Sequence, residues 1–236
     1  MKYYRITYSY EKKEVGHYPQ VQKITWEGRP YDDGAFGTQG LFSSVHKNPA
    51  IPTLDFYKSA KTTSLIEMGI ISDSVYLIIN EPFLEFIKSY FVGTFQTWKI
   101  LAKHKEINYD YYIFFLDNPK SDFINYEKSV FRLYTKGNDR KWVKLDETVK
   151  VITDEDCMEK HRQYPLIGNN KPFLEPEKIV VNGDKTNVHF LRCACSRMAG
   201  YYVSEKLKNE IEKLGFTGMR FQELNEINNF VEVEII

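Results

Sequence analysis

Arg197 to Leu224 reads RMAGYYVSEKLKNEIEKLGFTGMRFQEL, and its order of residue types decides the fold class: strand, cap, helix, stop, strand. Tyr201, Tyr202 and Val203 are aromatic or β-branched, the side chains a pleated surface accommodates best. Ser204 follows where an N-cap belongs, its hydroxyl placed to accept from a free amide of the first helical turn. Glu205 puts a carboxylate at the positive end of the helix dipole. Leu207, Ile211 and Leu214 recur at i, i+4 and i+7, which predicts one apolar helix face, with Lys206, Lys208, Glu210, Glu212 and Lys213 on the others. Gly215 is the expected left-handed stop, after which Phe216 to Phe221 resumes an extended run. The unit is structural and holds no catalytic group.

Working outward, the same grammar recurs at Ile79, Asn80 and Glu81, with Phe83, Ile87 and Tyr90 in the places of Leu207, Ile211 and Leu214. Pro82 suits a first turn, where its missing N–H is not needed. This leaves two readings, a two-fold pseudo-repeat or two ordinary amphipathic helices that agree by chance. Residues 2–10 alternate, with Tyr4, Ile6, Tyr8 and Tyr10 on one face and Tyr3, Arg5, Thr7 and Ser9 on the other, which predicts a strand buried on one side. Val21 to Trp26, Ser74 to Ile79 and Tyr109 to Leu116 read as further strands. Val130 to Tyr134 and Lys141 to Leu145 flank Lys136 to Arg140 as a hairpin. Thr53 to Gly69 reads as a helix with Leu54, Tyr57, Leu65 and Met68 available for burial. Asp154, Glu155 and Asp156 open a short helix, and Gly168 to Pro176 reads as a connecting loop. Sustained βαβ alternation is missing, so the expected fold is α+β, mostly antiparallel sheet with a few packed amphipathic helices. A single domain over 1–236 is expected, with room for an N-terminal subdomain over 1–64.

The segments PEKIVVNGDKTNVHFLRCACSRMAGYYVSEKLKNEIEKLGFTGMRF, from Pro176, and Tyr109 to Phe115 with Ile124 to Ser129, carry a resemblance. Over residues 65–224 the chain resembles immunity family eleven of bacterial polymorphic toxin systems. The resemblance implies an immunity protein that binds a cognate toxin domain, encoded by a neighbouring gene, and occludes it without turnover or cofactor. It brings no catalytic residues, and Cys193 and Cys195 lie outside the shared pattern. The alternative is a small soluble enzyme or ligand-binding protein with an unrecognised pocket.

Composition narrows the partners. Thirty-two basic and thirty-two acidic residues cancel, and they cancel locally as well, with 13 of each sign in residues 1–118 and 19 of each in 119–236. No basic face of the kind that attracts nucleic acid is expected. The first 14 residues lack the roughly 7–15-residue apolar core of a secretory leader. No apolar run approaches the about 20 residues of a membrane span. Three cysteines, an odd number, suit a reducing compartment, so the cytoplasm is the expected location.

Three constellations bear on chemistry. Cys157 and His161 are spaced for one helix face, and Cys193 and Cys195 for one strand face, so the four form a weak candidate for a tetrahedral zinc site. Cys-x-Cys is not zinc-finger spacing, and buried thiols are the competing reading. Gly34, Gly37 and Gly40 lack the Gly-Lys-Ser/Thr of a phosphate loop. His17, His46, His104, His161 and His189 are scattered, and no nucleophile elbow or metalloprotease helix is present. The third is aromatic excess, 17 Tyr and 16 Phe, which fits either large sheets or a protein-binding surface. Tyr18, Trp26, Tyr31 and Phe36 are the candidate partner-binding residues, because they lie where the resemblance is weakest.

Overall fold

In the computed structural model, all residues are described except 27–49, 70–72, 92, 118–122, 137–141, 165–171, 184–187, 194–197 and 228–230. The side chains of 142, 154, 158, 161 and 162 also lie outside the description. The elements in the first half are β1 (Tyr3–Tyr8), α1 (Lys12–Val15), β2 (Val21–Trp26), β3 (Pro52–Phe56), β4 (Leu77–Asn80), α2 (Glu81–Ile87), β5 (Thr94–His104) and β6 (Ile107–Asp117). Then come β7 (Val130–Lys136), β8 (Trp142–Val149), α3 (Asp154–Gln163), β9 (Phe173–Val181), β10 (Phe190–Cys193), β11 (Gly200–Ser204), α4 (Glu205–Lys213), β12 (Met219–Glu223) and β13 (Glu232–Ile235). The fold is α+β, with mostly antiparallel sheets and short helices.

The strand expected at the start of the chain forms, with Tyr4, Ile6 and Tyr8 buried on one face and, on the other, Tyr3 buried while Arg5 and Thr7 are half-buried. β1 lies between β11 and β12 in a sheet ordered β10-β11-β1-β12, antiparallel throughout. Alternation then sends neighbouring side chains into two different cores. Tyr4, Ile6, Tyr8, Tyr201 and Val203 join one core with Phe83 and Ile87 of α2 and Leu207 and Ile211 of α4. Tyr3 and Tyr202 face the other, with Leu191 and Cys193. Tyr10, grouped with the inward face by the alternation, lies past the strand end and is 55% exposed.

A sheet ordered β2-β3-β5-β6-β4 closes the first core through Leu77 and Ile79 of β4 and Phe114 and Leu116 of β6. Its other face buries Ile78, Ile100, Ile113 and Phe115 in a third core, which Ile66, Met68 and Val75 also enter. On the opposite side, the sheet β13-β9-β7-β8 supplies Phe131, Leu133, Leu174, Ile179 and Val181 against Tyr3 and Tyr202. Two hydrogen bonds fasten the middle sheet to the five-stranded one: the Tyr201 hydroxyl donates to the Val75 carbonyl at 2.8 Å and accepts from the Leu116 amide at 3.2 Å. Arg192 Nε adds a bond to the Leu116 carbonyl at 2.7 Å.

Both capped helices are present. Ser204 accepts from the Leu207 amide and Asn80 from the Phe83 amide. Leu207 and Ile211 are fully buried, whereas Leu214 is 59% exposed because α4 ends before it and the chain reverses at Gly215, with φ 75°. The extended run starts later than expected, at Met219. The strand before α2 spans Leu77–Asn80 rather than starting at Ser74.

Thr53 to Gly69 is not a helix. β3 alternates Leu54 and Phe56 inward and pairs in parallel with β5, and the chain beyond it has only an isolated bridge, at Leu65. Thr63 Oγ1 donates to the Leu65 carbonyl at 2.7 Å, the local side-chain bond that competes with helix. Leu54, Leu65 and Met68 are buried as expected, and Tyr57 partly. β5 itself escaped the sequence reading. The turn joining it to β6 places Lys105 and Glu106 at φ 50° and 65°, without the Asn or Gly that marks such turns. The β7–β8 hairpin forms, its turn lying outside the described residues. α3 starts under a Thr153 cap. The expected loop Gly168 to Pro176 is corrected at its end, since β9 begins at Phe173 and contains Pro176. Pro176 is tolerated because β13 pairs with β9 only from Lys178 onward, leaving no bond for the missing N–H on that side.

Candidate functional site

The chemistry-bearing side chains converge where the end of β1, the loop after α1, the segment before β4 and the start of β12 meet. Gly16, at φ 73°, turns the chain after α1, and a Cβ there would lie 2.2 Å from the Ser59 carbonyl oxygen. The loop it opens is pinned from below. Buried Gln20 donates to the Lys61 carbonyl at 2.7 Å and to Thr63 Oγ1 at 2.9 Å, and His17 stacks on Tyr57 at 3.8 Å. Tyr18 is thereby held at the surface, 45% exposed, edge to face with Tyr10 at 6.4 Å. Such pairs contribute about 0.5–1.5 kcal/mol beyond their buried area.

Each tyrosine lies beside one charge. On β12, Arg220 stands opposite Thr7, and its Nη1 donates to the Tyr10 hydroxyl at 2.6 Å while the guanidinium lies over the Tyr10 ring at 5.0 Å. Glu67 beside the Tyr18 hydroxyl, then burial, then the charges of Glu67 and Asp73 push the Tyr18 phenol up to about 12. Asp73 Oδ2 accepts from Thr7 at 2.7 Å, and its Oδ1 is 3.7 Å from Arg5 Nη2. Tyr8 forms the floor, its phenol raised by burial first and by Asp73 second.

These groups line an open cleft of about 310 Å³. Neither Glu67 nor Arg220 has an ion-pair partner among the described residues. Four buried side-chain polar atoms there make no hydrogen bond, and three of them are Arg5 Nε, Glu67 Oε2 and Arg220 Nε, all in or next to this cleft. Native structures leave few such atoms, so their clustering marks the place. Phenols, carboxylates and guanidinium offer donors, acceptors and ring faces for recognition.

Of the candidate partner-binding residues from the sequence that the structure describes, Tyr18 reaches the cleft. Trp26 is half-buried at the far end of β2, packed against the third core. Tyr31 and Phe36 lie outside the described residues, as do Gly34, Gly37 and Gly40. Cys157 and Cys193 share one apolar core, from α3 and β10. Cys195 and the His161 side chain lie outside the description, and among the described residues no three His, Cys, Asp or Glu side chains gather to hold a metal. Tyr10, Glu67, Asp73 and Arg220 escaped sequence reading because no spacing connects four separate segments.

One pair has the look of a catalytic dyad, Ser204 Oγ lying 2.8 Å from His189 Nδ1. Ser204 is fully buried and its oxygen already caps α4, so the pair is a structural bond with no substrate access. A larger opening of about 550 Å³ beside the β5–β6 turn is lined by Lys58, Lys103 and Lys105 together with Asp55 and Glu106. No helix is long and apolar enough to cross a membrane, among the described residues. No protein-family model matches the chain, and no curated protein matches it.

Proposed function

We propose that the chain is a cytoplasmic immunity protein that binds a cognate toxin domain, encoded by a neighbouring gene, and neutralises it by occlusion without turnover. The resemblance over residues 65–224 suggests the class. The observation that carries the reading is the exposed Tyr10–Tyr18 pair with Arg220 beside it, on a loop pinned to a layered sheet scaffold. Tyr and Arg are the types that dominate binding energy at protein interfaces, and they do so best when preorganised. The cleft supplies an anchor only. A specific complex buries roughly 1,200–2,000 Å², so the surrounding surface contributes the remainder.

Co-expression with the neighbouring toxin domain tests this. The expected result is rescue of growth and co-elution of a one-to-one complex, with Tyr18→Ala weakening the complex at least tenfold while the thermal midpoint stays close to that of the parent. Rescue by substoichiometric amounts of the chain, with no co-elution, would instead mean turnover and would favour an enzyme.

A further inference from the structure

Glu67 and Arg220 line the same small cleft with opposite charges, yet they form no ion pair with each other or with any other described residue. Arg220 donates to Tyr10 instead, and Tyr10 packs edge to face with Tyr18. Each charged group keeps a buried atom with no hydrogen bond, Arg220 Nε and Glu67 Oε2. A buried polar atom left unpaired costs the free protein stability, which a partner's matching group would recover. Asp73 does not relieve this, since Thr7 and Arg5 already engage it.

From this we propose that the cleft is a socket for two neighbouring side chains of opposite charge on the partner, a Lys or Arg received by Glu67 and an Asp or Glu received by Arg220, with Tyr10 and Tyr18 as its walls. It rests on the interface reading above and names the partner chemistry. The geometry fits side chains better than a metal, because among the described residues two carboxylates line the cleft and Asp73 is already bonded to Thr7. Its volume, about 310 Å³, suits side-chain ends. Opposite charges also explain how a chain with no net charge can select a partner, since a surface carrying one sign alone would meet a like charge in the cleft.

The test needs no toxin. The whole protein is titrated with acetyl-lysyl-glutamyl amide and followed by NMR. Acetyl-norleucyl-glutamyl amide and acetyl-lysyl-glutaminyl amide each remove one charge from the probe. We expect saturable shifts confined to Tyr10, Tyr18 and their neighbours, with a millimolar Kd suited to so small a contact. Affinity should fall at least fivefold for either control peptide. Glu67→Gln should erase the advantage of the lysine and leave that of the glutamate, and Arg220→Gln the converse. The Glu67→Gln thermal midpoint should equal or exceed the parent's, because an unpaired charge is removed; a clear drop would make Glu67 structural and overturn the proposal. Equal response to all three peptides, or none, would overturn it too. A toxin complex that survives Glu67→Gln and Arg220→Gln unweakened sinks the socket but leaves the interface reading standing, whereas failure to co-elute sinks the interface reading and with it the socket's role toward that partner.

Discussion

Tyr18 shows how much a single residue's surroundings decide. Glu67 beside its hydroxyl, with burial and two carboxylate charges behind it, favours the neutral phenol, so its value rises to about 12. A raised phenol contributes stability that is fully present below the unfolded value of about 10 and is lost as pH climbs through the folded one. Tyr18 should therefore ionise late for so exposed a tyrosine, and Glu67→Gln should bring its phenolate absorbance step down toward 10; an unmoved step would break the link between them. Ser204 is the other informative residue. Its hydroxyl caps α4 and meets His189 while fully buried, so Ser204→Ala should cost about 1–2 kcal/mol in denaturant unfolding. The serine as cap was legible, because caps are local. Its histidine partner was not, because the β10–β11 pairing brings the two together.

At the level of elements, short-range chemistry was readable and pairing was not. Ser204, Asn80, Gly215 and the aromatic and aliphatic run of Tyr109 to Leu116 each mark structure within a few residues, and the structure has them. β5 carries no readable turn, because Lys105 and Glu106 take a left-handed turn without glycine or asparagine, and β3 is not separable from helix without its parallel partner β5. The face of α4 offers a sharp contrast. Leu207→Ala or Ile211→Ala should each cost about 2–5 kcal/mol, as fully buried aliphatics do. Leu214→Ala, one turn on at the same expected period, should stay within about 0.5 kcal/mol. Unfolding midpoints for the three variants decide it, and a Leu214 effect as large as that of Leu207 would mean that the helix continues past Lys213.

For the whole molecule, the middle sheet contributes side chains to two cores: one shared with the five-stranded sheet and helices, the other with β7 and β9. Unfolding should accordingly be one cooperative event. Far-ultraviolet dichroism and tryptophan fluorescence, with Trp26 and Trp98 on the five-stranded sheet, should give coincident transitions, and two separated midpoints would mean that the layers part independently. The aromatic excess was legible as a number, but its use was not. Tyr3, Tyr76, Tyr111, Tyr201 and Tyr202 build cores, while Tyr10 and Tyr18 face outward, and only the folded arrangement tells these groups apart. The place of β1 bears on when such a protein can form at all. The backbone of residues 3–8 takes its strand partners from 200–204 and 219–223, so a ribosome adding roughly 5–20 residues each second holds it unpaired for about 10–40 s. Through that interval a strand rich in tyrosine waits in solvent with both edges bare, a natural client for a chaperone. A newly made chain has no complete middle sheet until residues 219–223 leave the ribosome, so the supply of folded protein lags its synthesis by that interval.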